Sequence, residues 1–180
     1  MRERFRDGSA PAEGLTDSEI GNMSLSLKAA LDEALEDEYR ARATYRAVLE
    51  AFGDVRPFNR IVESEGRHIG ALSRLYEKYG IRMPEDRWHG RVGAPDSLAE
   101  ACRAGVEGEI ENRALYDRLM REISDHPDVV ATFERLRSAS QERHLPAFER
   151  GLARAQGAGP SGQAAGPRRT RRRGRCGRES

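Results

Sequence analysis

The sequence lacks the long apolar runs and the cysteine frameworks that mark whole classes of protein. No stretch of about 18 consecutive apolar residues occurs in the 180-residue chain, so we expect no membrane span. The amino-terminal segment has no apolar core of the kind that secretory signals carry. There are only 2 cysteines, Cys102 in a helical pattern and Cys176 in a basic tail. This argues against a disulfide framework and favours a cytoplasmic location.

Charge is plentiful, at 34% of residues, but it is unevenly distributed. Residues 168–180 hold seven arginines and one acidic residue, whereas residues 1–167 hold 24 basic and 29 acidic residues. The folded part should therefore be mildly acidic and the tail strongly basic. Such a tail can neutralise phosphates, so nucleic acid is a candidate partner; the alternative is a solvated tail without a role.

Four stretches have apolar residues at helical spacing, which predicts helices over about 26–52, 58–79 and 97–123, and a fourth that starts near Asp125 or Pro127 and ends at about 155. Gly53 and Gly80 follow the first two, and Ser97 with Glu100 forms a capping box at the start of the third. The residues outside are polar or of low complexity. We therefore expect a flexible segment over 1–23, one helical domain over 24–155 and a disordered arginine-rich tail over 156–180.

The lengths of the connections predict how the helices are arranged. Helices 1 and 2, and helices 3 and 4, are joined by only a few residues, so each pair must be an antiparallel hairpin. The connection over 81–96 can span roughly 50 Å when extended, longer than a helix of roughly 33 Å. The fold class is therefore all-α, a four-helix bundle of two antiparallel hairpins joined by a crossover linker.

The two hairpins also resemble each other in sequence. In helices 1 and 3 a Glu is followed by Arg at +4, Ala at +5 and Tyr at +7; the residues are Glu38, Arg42, Ala43, Tyr45 and Glu109, Arg113, Ala114, Tyr116. In helices 2 and 4 a Phe precedes a His by ten or eleven positions: Phe58 and His68, Phe133 and His144. Related hairpins would pack about a pseudo-twofold axis, which generates a symmetric site for two ions.

One pair of residues in helix 2 is typical of metal sites in helical bundles. Glu65 and His68 are three positions apart, so both side chains face the same way. Together with a Glu from each of two other helices they can surround ions in the bundle core. Carboxylate and imidazole ligands suit iron or manganese. Taken singly, each of these residues could equally be a solvated or core side chain; the repeat and the spacing favour the site.

The motifs resemble those of a known group of proteins. Glu38, Ala41, Arg42 and Tyr45 resemble the Glu-x-x-Ala-Arg-x-x-Tyr signature of the rubrerythrin-type ferritin-like superfamily, and Glu65 with His68 resembles its Glu-x-x-His. The stretch from Leu35 to Leu75, with the HLPAF sequence from His144 onward, is more similar still to an uncharacterised ferritin-like family, a domain of unknown function. The resemblance as a whole spans roughly residues 26–153. The resemblance implies metal ligands at Glu38, Glu65, His68, Glu109 and His144. Tyr45, Tyr116 and Gln141 would be hydrogen-bonding candidates next to them.

The resemblance further implies a cofactor and an activity. It predicts two iron ions, with manganese as an alternative, and a non-haem di-iron oxidoreductase of the peroxidase or ferroxidase type that uses peroxide or oxygen. It is also compatible with a homodimer. Two other functions stay open: a non-catalytic iron-binding or storage protein, and a structural bundle whose basic tail touches nucleic acid.

Two features depart from the family pattern. Three positions before His144 stands Gln141, so a neutral amide replaces the expected second bridging carboxylate. Glu111 and Glu142 are the nearby acids that could compensate, although Glu111 lies about 200° round the helix from Glu109. The chain has no Cys-x-x-Cys pair, so we expect it to lack the rubredoxin-like electron-transfer module of full rubrerythrins.

Overall fold

The computed structural model describes residues 17–157, and side chains from Ser26 onward. The helices are α1 Asp17–Phe52, α2 Phe58–Lys78, α3 Leu98–Glu122, α4 Pro127–Ala139 and α5 Leu145–Gly157. A π-helical turn, Ser140–His144, joins α4 to α5, so these two form one rod. No strand occurs within residues 17–157, which confirms the all-α prediction. The predictions for residues 1–16 and 158–180 lie outside the described residues.

The first helix is longer than its apolar pattern predicted. It begins at Asp17 and not near Ser26, so part of the segment expected to be flexible is helical. No proline occurs between Asp17 and Phe52, so nothing in the backbone interrupts the helix there. The predicted amino-terminal end of α3 is confirmed, since the Ser97 side chain accepts a hydrogen bond from the Glu100 backbone N–H at 3.2 Å.

Apolar side chains form two clusters, one at each end of the bundle. The first joins the early part of α1 to the ends of α2 and α3 and to α4; its members include Leu31, Leu75, Ile123 and Phe133. The second joins the end of α1 to the starts of α2 and α3 and to α5; its members include Val48, Phe58, Cys102 and Phe148. The order in which each helix meets the clusters makes α1 and α2 antiparallel, α2 and α3 parallel, and α3 and the α4–α5 rod antiparallel. The predicted crossover bundle is confirmed.

The crossover between α2 and α3 is fastened to α1. The Arg42 guanidinium pairs with Asp86 at 2.9 Å, and the Trp88 indole N–H donates to Glu36 at 2.8 Å. Trp88 also packs against the first cluster. These contacts hold the long connection along the bundle. No helix within the described residues is both long and apolar enough to cross a membrane.

Candidate metal centre

A layer of buried polar side chains separates the two apolar clusters. It contains the five predicted ligands, each 2–5% exposed: Glu38 of α1, Glu65 and His68 of α2, Glu109 of α3 and His144 of the π-helical turn. Because burying a carboxylate or an imidazolium without a partner is costly, such a layer is rare in a protein core unless its groups are paired or hold an ion. The reading of these residues as solvated surface is therefore excluded.

The five side chains form two groups that share Glu65. On one side, Nδ1 of His68 lies 2.9 Å from Oε2 of Glu65 and 3.1 Å from Oε2 of Glu38. On the other, Nδ1 of His144 lies 3.3 Å from Oε1 of Glu65 and 3.4 Å from Oε1 of Glu109. The two imidazole rings are stacked, with centroids 5.4 Å apart. Glu65 thus presents one carboxylate oxygen to each histidine, as a bridging ligand does.

Two tyrosines reproduce the pseudo-twofold relation in their hydrogen bonds. The Tyr116 hydroxyl donates to Oε1 of Glu38 at 2.7 Å, and the Tyr45 hydroxyl donates to Oε1 of Glu109 at 3.2 Å. Burial and the adjacent carboxylates raise the pKa of both phenols well above the usual value, so both stay protonated and act as donors. Each tyrosine of the sequence repeat therefore orients the glutamate of the opposite repeat.

Gln141, the third hydrogen-bonding candidate, has a different partner from the two tyrosines. Its amide donates to the backbone carbonyl of Glu109 at 2.8 Å, so it ties the π-helical turn to α3 and does not contact a carboxylate of the layer. Glu111 and Glu142 are both exposed. Neither supplies the missing second bridging carboxylate.

The π-helical turn explains an irregularity in the sequence repeat. A π turn widens the helix by one residue and often lies at a functional site. Phe58 and His68 are ten positions apart in regular α2, whereas Phe133 and His144 are eleven apart across the turn. Pro146 is the second residue after the turn. In a regular α-helix its ring would clash with the carbonyl of Glu142, which favours a departure from α geometry here.

Four residues around the layer were missed from the sequence. Ser64 and Ser140 are buried and each stands four positions before a candidate ligand histidine; the Ser64 hydroxyl lies 3.4 Å from Nε2 of His68. Asn112 is buried on α3 and donates to Asp37 on α1 at 2.8 Å. The repeated Ser-to-His spacing was a usable signal. Nothing in the sequence distinguished Asn112 or Asp37 from other polar helical residues.

In the metal-free layer, bound protons supply the positive charge that balances the buried carboxylates. Burial and the Glu65 charge raise the pKa of Glu38 to about 8. Burial opposes the charged imidazoles, but the neighbouring carboxylates outweigh it and raise the pKa of His68 to about 10 and of His144 to about 9. Burial also opposes the ionisation of Glu65, yet the close approach of the His144 and His68 imidazoles holds its pKa below the usual value.

The donor atoms fit divalent metal ions. In each of the two groups the candidate ligand atoms lie within 4.8 Å of one another. Two buried atoms of the layer, Oε2 of Glu109 and Nδ1 of His144, have no hydrogen-bond partner in the structure. An ion between the carboxylates and the imidazole would satisfy both. Three carboxylates and two imidazoles, without a thiolate, are ligands that suit iron or manganese.

Two cavities reach the layer from opposite sides of the bundle. One, of about 250 Å³, opens between α1 and α3 and is lined by carboxylates that include Asp37, Glu107 and Glu111. The other, of about 630 Å³, opens between α2 and the α4–α5 rod and reaches His68 and His144. The first presents negative charge to solvent, which attracts cations.

Two solved structures resemble the fold of this chain. A hypothetical protein from Methanococcus jannaschii is 25% identical, with a TM-score of 0.63 over 81% of this chain and 86% of that chain. A bacterioferritin from Desulfovibrio desulfuricans, described as having a di-iron site in different catalytic states, is 16% identical, with a TM-score of 0.67 over 78% of this chain and 85% of its own.

The chain has a ferritin-like fold. No protein-family model matches the sequence, and a comparison with curated proteins finds no match. The ferritin-like resemblance inferred from the motifs is thus confirmed at the level of the fold, and the two carboxylate and histidine groups of this chain fit a di-iron site. This ferritin-like chain carries five candidate ligands, with Gln141 at the sequence position where a sixth was expected.

Proposed function

We propose that the ferritin-like bundle binds two iron ions in its polar layer and supports redox chemistry with peroxide or oxygen. The observation that carries the proposal is Glu65, whose two carboxylate oxygens face two histidines in two Glu-His groups. A metal pair bridged by one carboxylate requires such an arrangement, whereas a structural salt bridge does not. Iron bound there would supply the electron transfer; manganese has the same ligand preferences.

Each residue of the layer has a role in this proposal. Glu38 and His68 would hold one ion, Glu109 and His144 the other, and Glu65 would bridge them. Tyr116 and Tyr45 donate to the two non-bridging carboxylates and fix their orientation, as partners of metal ligands commonly do. Three carboxylates against two divalent ions leave one positive charge, which a small anion or solvent can balance.

The acidic cavity between α1 and α3 is the proposed route for the cation. Asp37 lies at its wall, held by hydrogen bonds from Asn112 and Arg40 at 2.8 and 2.7 Å. The carboxylates of Glu107 and Glu111 are exposed at the same opening. Clustered negative charge in a cleft raises the local concentration of divalent cations.

Metal content measured after anaerobic reconstitution with ferrous iron tests the proposal. Wild type should hold about two irons per chain, in line with two Glu-His groups, and Glu65→Ala/His68→Ala should lose most of the metal. Glu63→Ala/His89→Ala is the matched control, because it removes the same residue types from exposed positions. Circular dichroism would show whether each variant folds. No metal in folded wild type would reject the di-iron proposal.

Turnover distinguishes an enzyme from an iron store. If the loaded protein consumes peroxide or oxygen over many cycles with an added reductant, the oxidoreductase proposal holds. If it takes up and oxidises iron once and retains it, the storage function is favoured. A homodimer, and contact with nucleic acid through residues 168–180, stay predictions; the tail lies outside the described residues.

A further inference from the structure

The cavity between α2 and the α4–α5 rod is lined by two facing rows of arginines. Arg60 and Arg67 belong to α2, and Arg56 lies two residues before its start. Arg135, Arg143, Arg150 and Arg154 come from the opposite rod. Within each row successive arginines are four, seven or eight residues apart, spacings that keep helical side chains on one face. No acidic residue lines this cavity; we call it the arginine groove.

None of these seven guanidinium groups pairs with a carboxylate of the described residues. The structure gives them no ion pair, and Arg135 alone has a side-chain hydrogen bond, to the Thr132 hydroxyl. Elsewhere the chain does pair its arginines: Arg42 with Asp86, and Arg118 with Glu33 and Glu122. Seven unpaired like charges facing each other in one cleft repel, and an anion between them would remove that repulsion.

The floor and size of the arginine groove indicate the kind of anion. Its apolar lining includes Ile61, Leu136 and Ala139, and its inner end is formed by Ser64, His68 and His144. A volume of about 630 Å³ lies within the range of small-molecule sites. No aromatic side chain other than the two histidines lines it, so the stacking platform typical of single-stranded nucleic acid sites is missing.

We propose that the arginine groove binds a small organic anion with several phosphate or carboxylate groups, held next to His68 and His144. Guanidinium groups present paired donors that match both phosphate and carboxylate oxygens. The apolar floor would contact the carbon skeleton of the ligand. Because the charges and the cavity belong to the protein alone, this site does not depend on metal in the polar layer, and its failure would leave the di-iron proposal standing.

Calorimetric titration of the full-length, metal-free protein with inorganic tripolyphosphate and with citrate tests this site. At roughly 0.15 M salt, which screens diffuse surface charge, we expect one or both probes to bind wild type. Arg67→Gln/Arg143→Gln should weaken that binding by about tenfold or more, because it removes one charge-assisted contact from each row. Both arginines are exposed and unpaired, so the variant should fold normally.

Two control variants carry the same charge change elsewhere. Arg46→Gln/Arg121→Gln alters exposed arginines outside the groove, and Arg169→Gln/Arg172→Gln alters the tail; both should bind the probe as wild type does. Binding of tripolyphosphate alone would identify phosphate as the ligand chemistry, and citrate alone would identify carboxylate. The proposal is overturned if neither probe binds, or if the tail variant loses as much affinity as the groove variant. Tighter, groove-dependent binding of a short single-stranded oligonucleotide would also overturn it in favour of nucleic acid.

Discussion

The hydroxyl of Tyr116, on α3, donates to Oε1 of Glu38, on α1, at 2.7 Å. This bond crosses between the two sequence repeats and leaves Oε2 of Glu38 facing His68. A carboxylate that is fixed before the metal arrives loses little freedom on binding it. The hydroxyl of Tyr116 should therefore contribute to metal affinity without touching the metal.

Tyr116→Phe should lower the affinity for ferrous or manganous ion by about tenfold or more, the usual cost of losing a partner of a metal ligand. Anaerobic calorimetry would measure it. Tyr79→Phe is the matched control, because its hydroxyl donates to Asp128 at 2.7 Å, away from the layer. Equal metal affinity in wild type and Tyr116→Phe would mean that the tyrosine only fills space.

Gln141→Glu should have opposite effects on the metal-free and metal-bound protein. The substitution removes the amide that donates to the Glu109 carbonyl and adds a partly buried charge, so metal-free stability should fall by about 1–3 kcal/mol. A fourth carboxylate would match the charge of two divalent ions, so the second ion should bind more tightly. Denaturation with and without metal measures both effects. Glu142→Gln, which changes an exposed residue of the same π-helical turn, should change neither the stability nor the metal affinity. If Gln141→Glu is destabilised but binds the second ion no more tightly, the expected charge matching is contradicted.

The bundle and its polar layer were predictable because they rest on periodic signals. Short connections dictated hairpins, and the repeat of Glu, Arg and Tyr at +4 and +7 pointed to Glu38 and Glu109. The structure brings all five predicted ligands into one layer. Their assignment as ligands stays a prediction until metal is measured.

The π-helical turn and the arginine groove were not predictable in the same way. A one-residue insertion hardly disturbs a helical apolar pattern, so its traces were only Pro146 and the eleven-residue spacing. Exposed arginines at helical spacing are typical of any solvated helix face. Only the packing of α2 against the α4–α5 rod shows that the two rows face each other.

The stability of the metal-free protein should fall as pH rises from about 7 to about 10. The folded-state pKa of Glu38, raised to about 8 by burial and Glu65, and of His68, raised to about 10 by its carboxylates against burial, both exceed their unfolded values. The folded state thus holds more protons in this window, and the stabilisation present below the unfolded pKa is lost as pH rises. Urea denaturation across this range would measure it. Glu38→Gln should reduce the dependence of stability on pH. A urea midpoint of wild type that stays the same across this pH range would contradict the protonation of the layer.

Metal uptake should release protons for the same reason. Near pH 7 the raised pKa values leave His68, His144 and Glu38 protonated, and each must lose its proton to become a ligand. Calorimetry in buffers with different ionisation enthalpies counts the protons released. Because metal binding competes with these protons, metal affinity should rise with pH up to about 9. Uptake without proton release would show that the ions bind outside this layer.

Gly105 is required by the packing of α3 against α5. A Cβ at this position would lie 2.6 Å from Cδ1 of Phe148, and three ring atoms are under 3.0 Å away. Because the Phe148 ring is fully buried against Tyr45 and Phe58, it has little room to move. Gly105→Ala should therefore destabilise the protein by about 1–3 kcal/mol, as overpacking does.

Gly108, one turn further along α3, provides the opposite expectation. Nothing lies within 4 Å of a Cβ built there, so Gly108→Ala should stabilise the helix by up to about 1 kcal/mol through the better helix propensity of alanine. Urea denaturation of the two single variants would compare the effects on one helix. Stabilisation by both substitutions would show that Phe148 moves aside and that the close approach of α3 and α5 does not depend on glycine. Since Phe148 also contacts Tyr45, whose hydroxyl donates to Glu109, a displaced ring would loosen the polar layer and lower metal affinity in Gly105→Ala but not in Gly108→Ala.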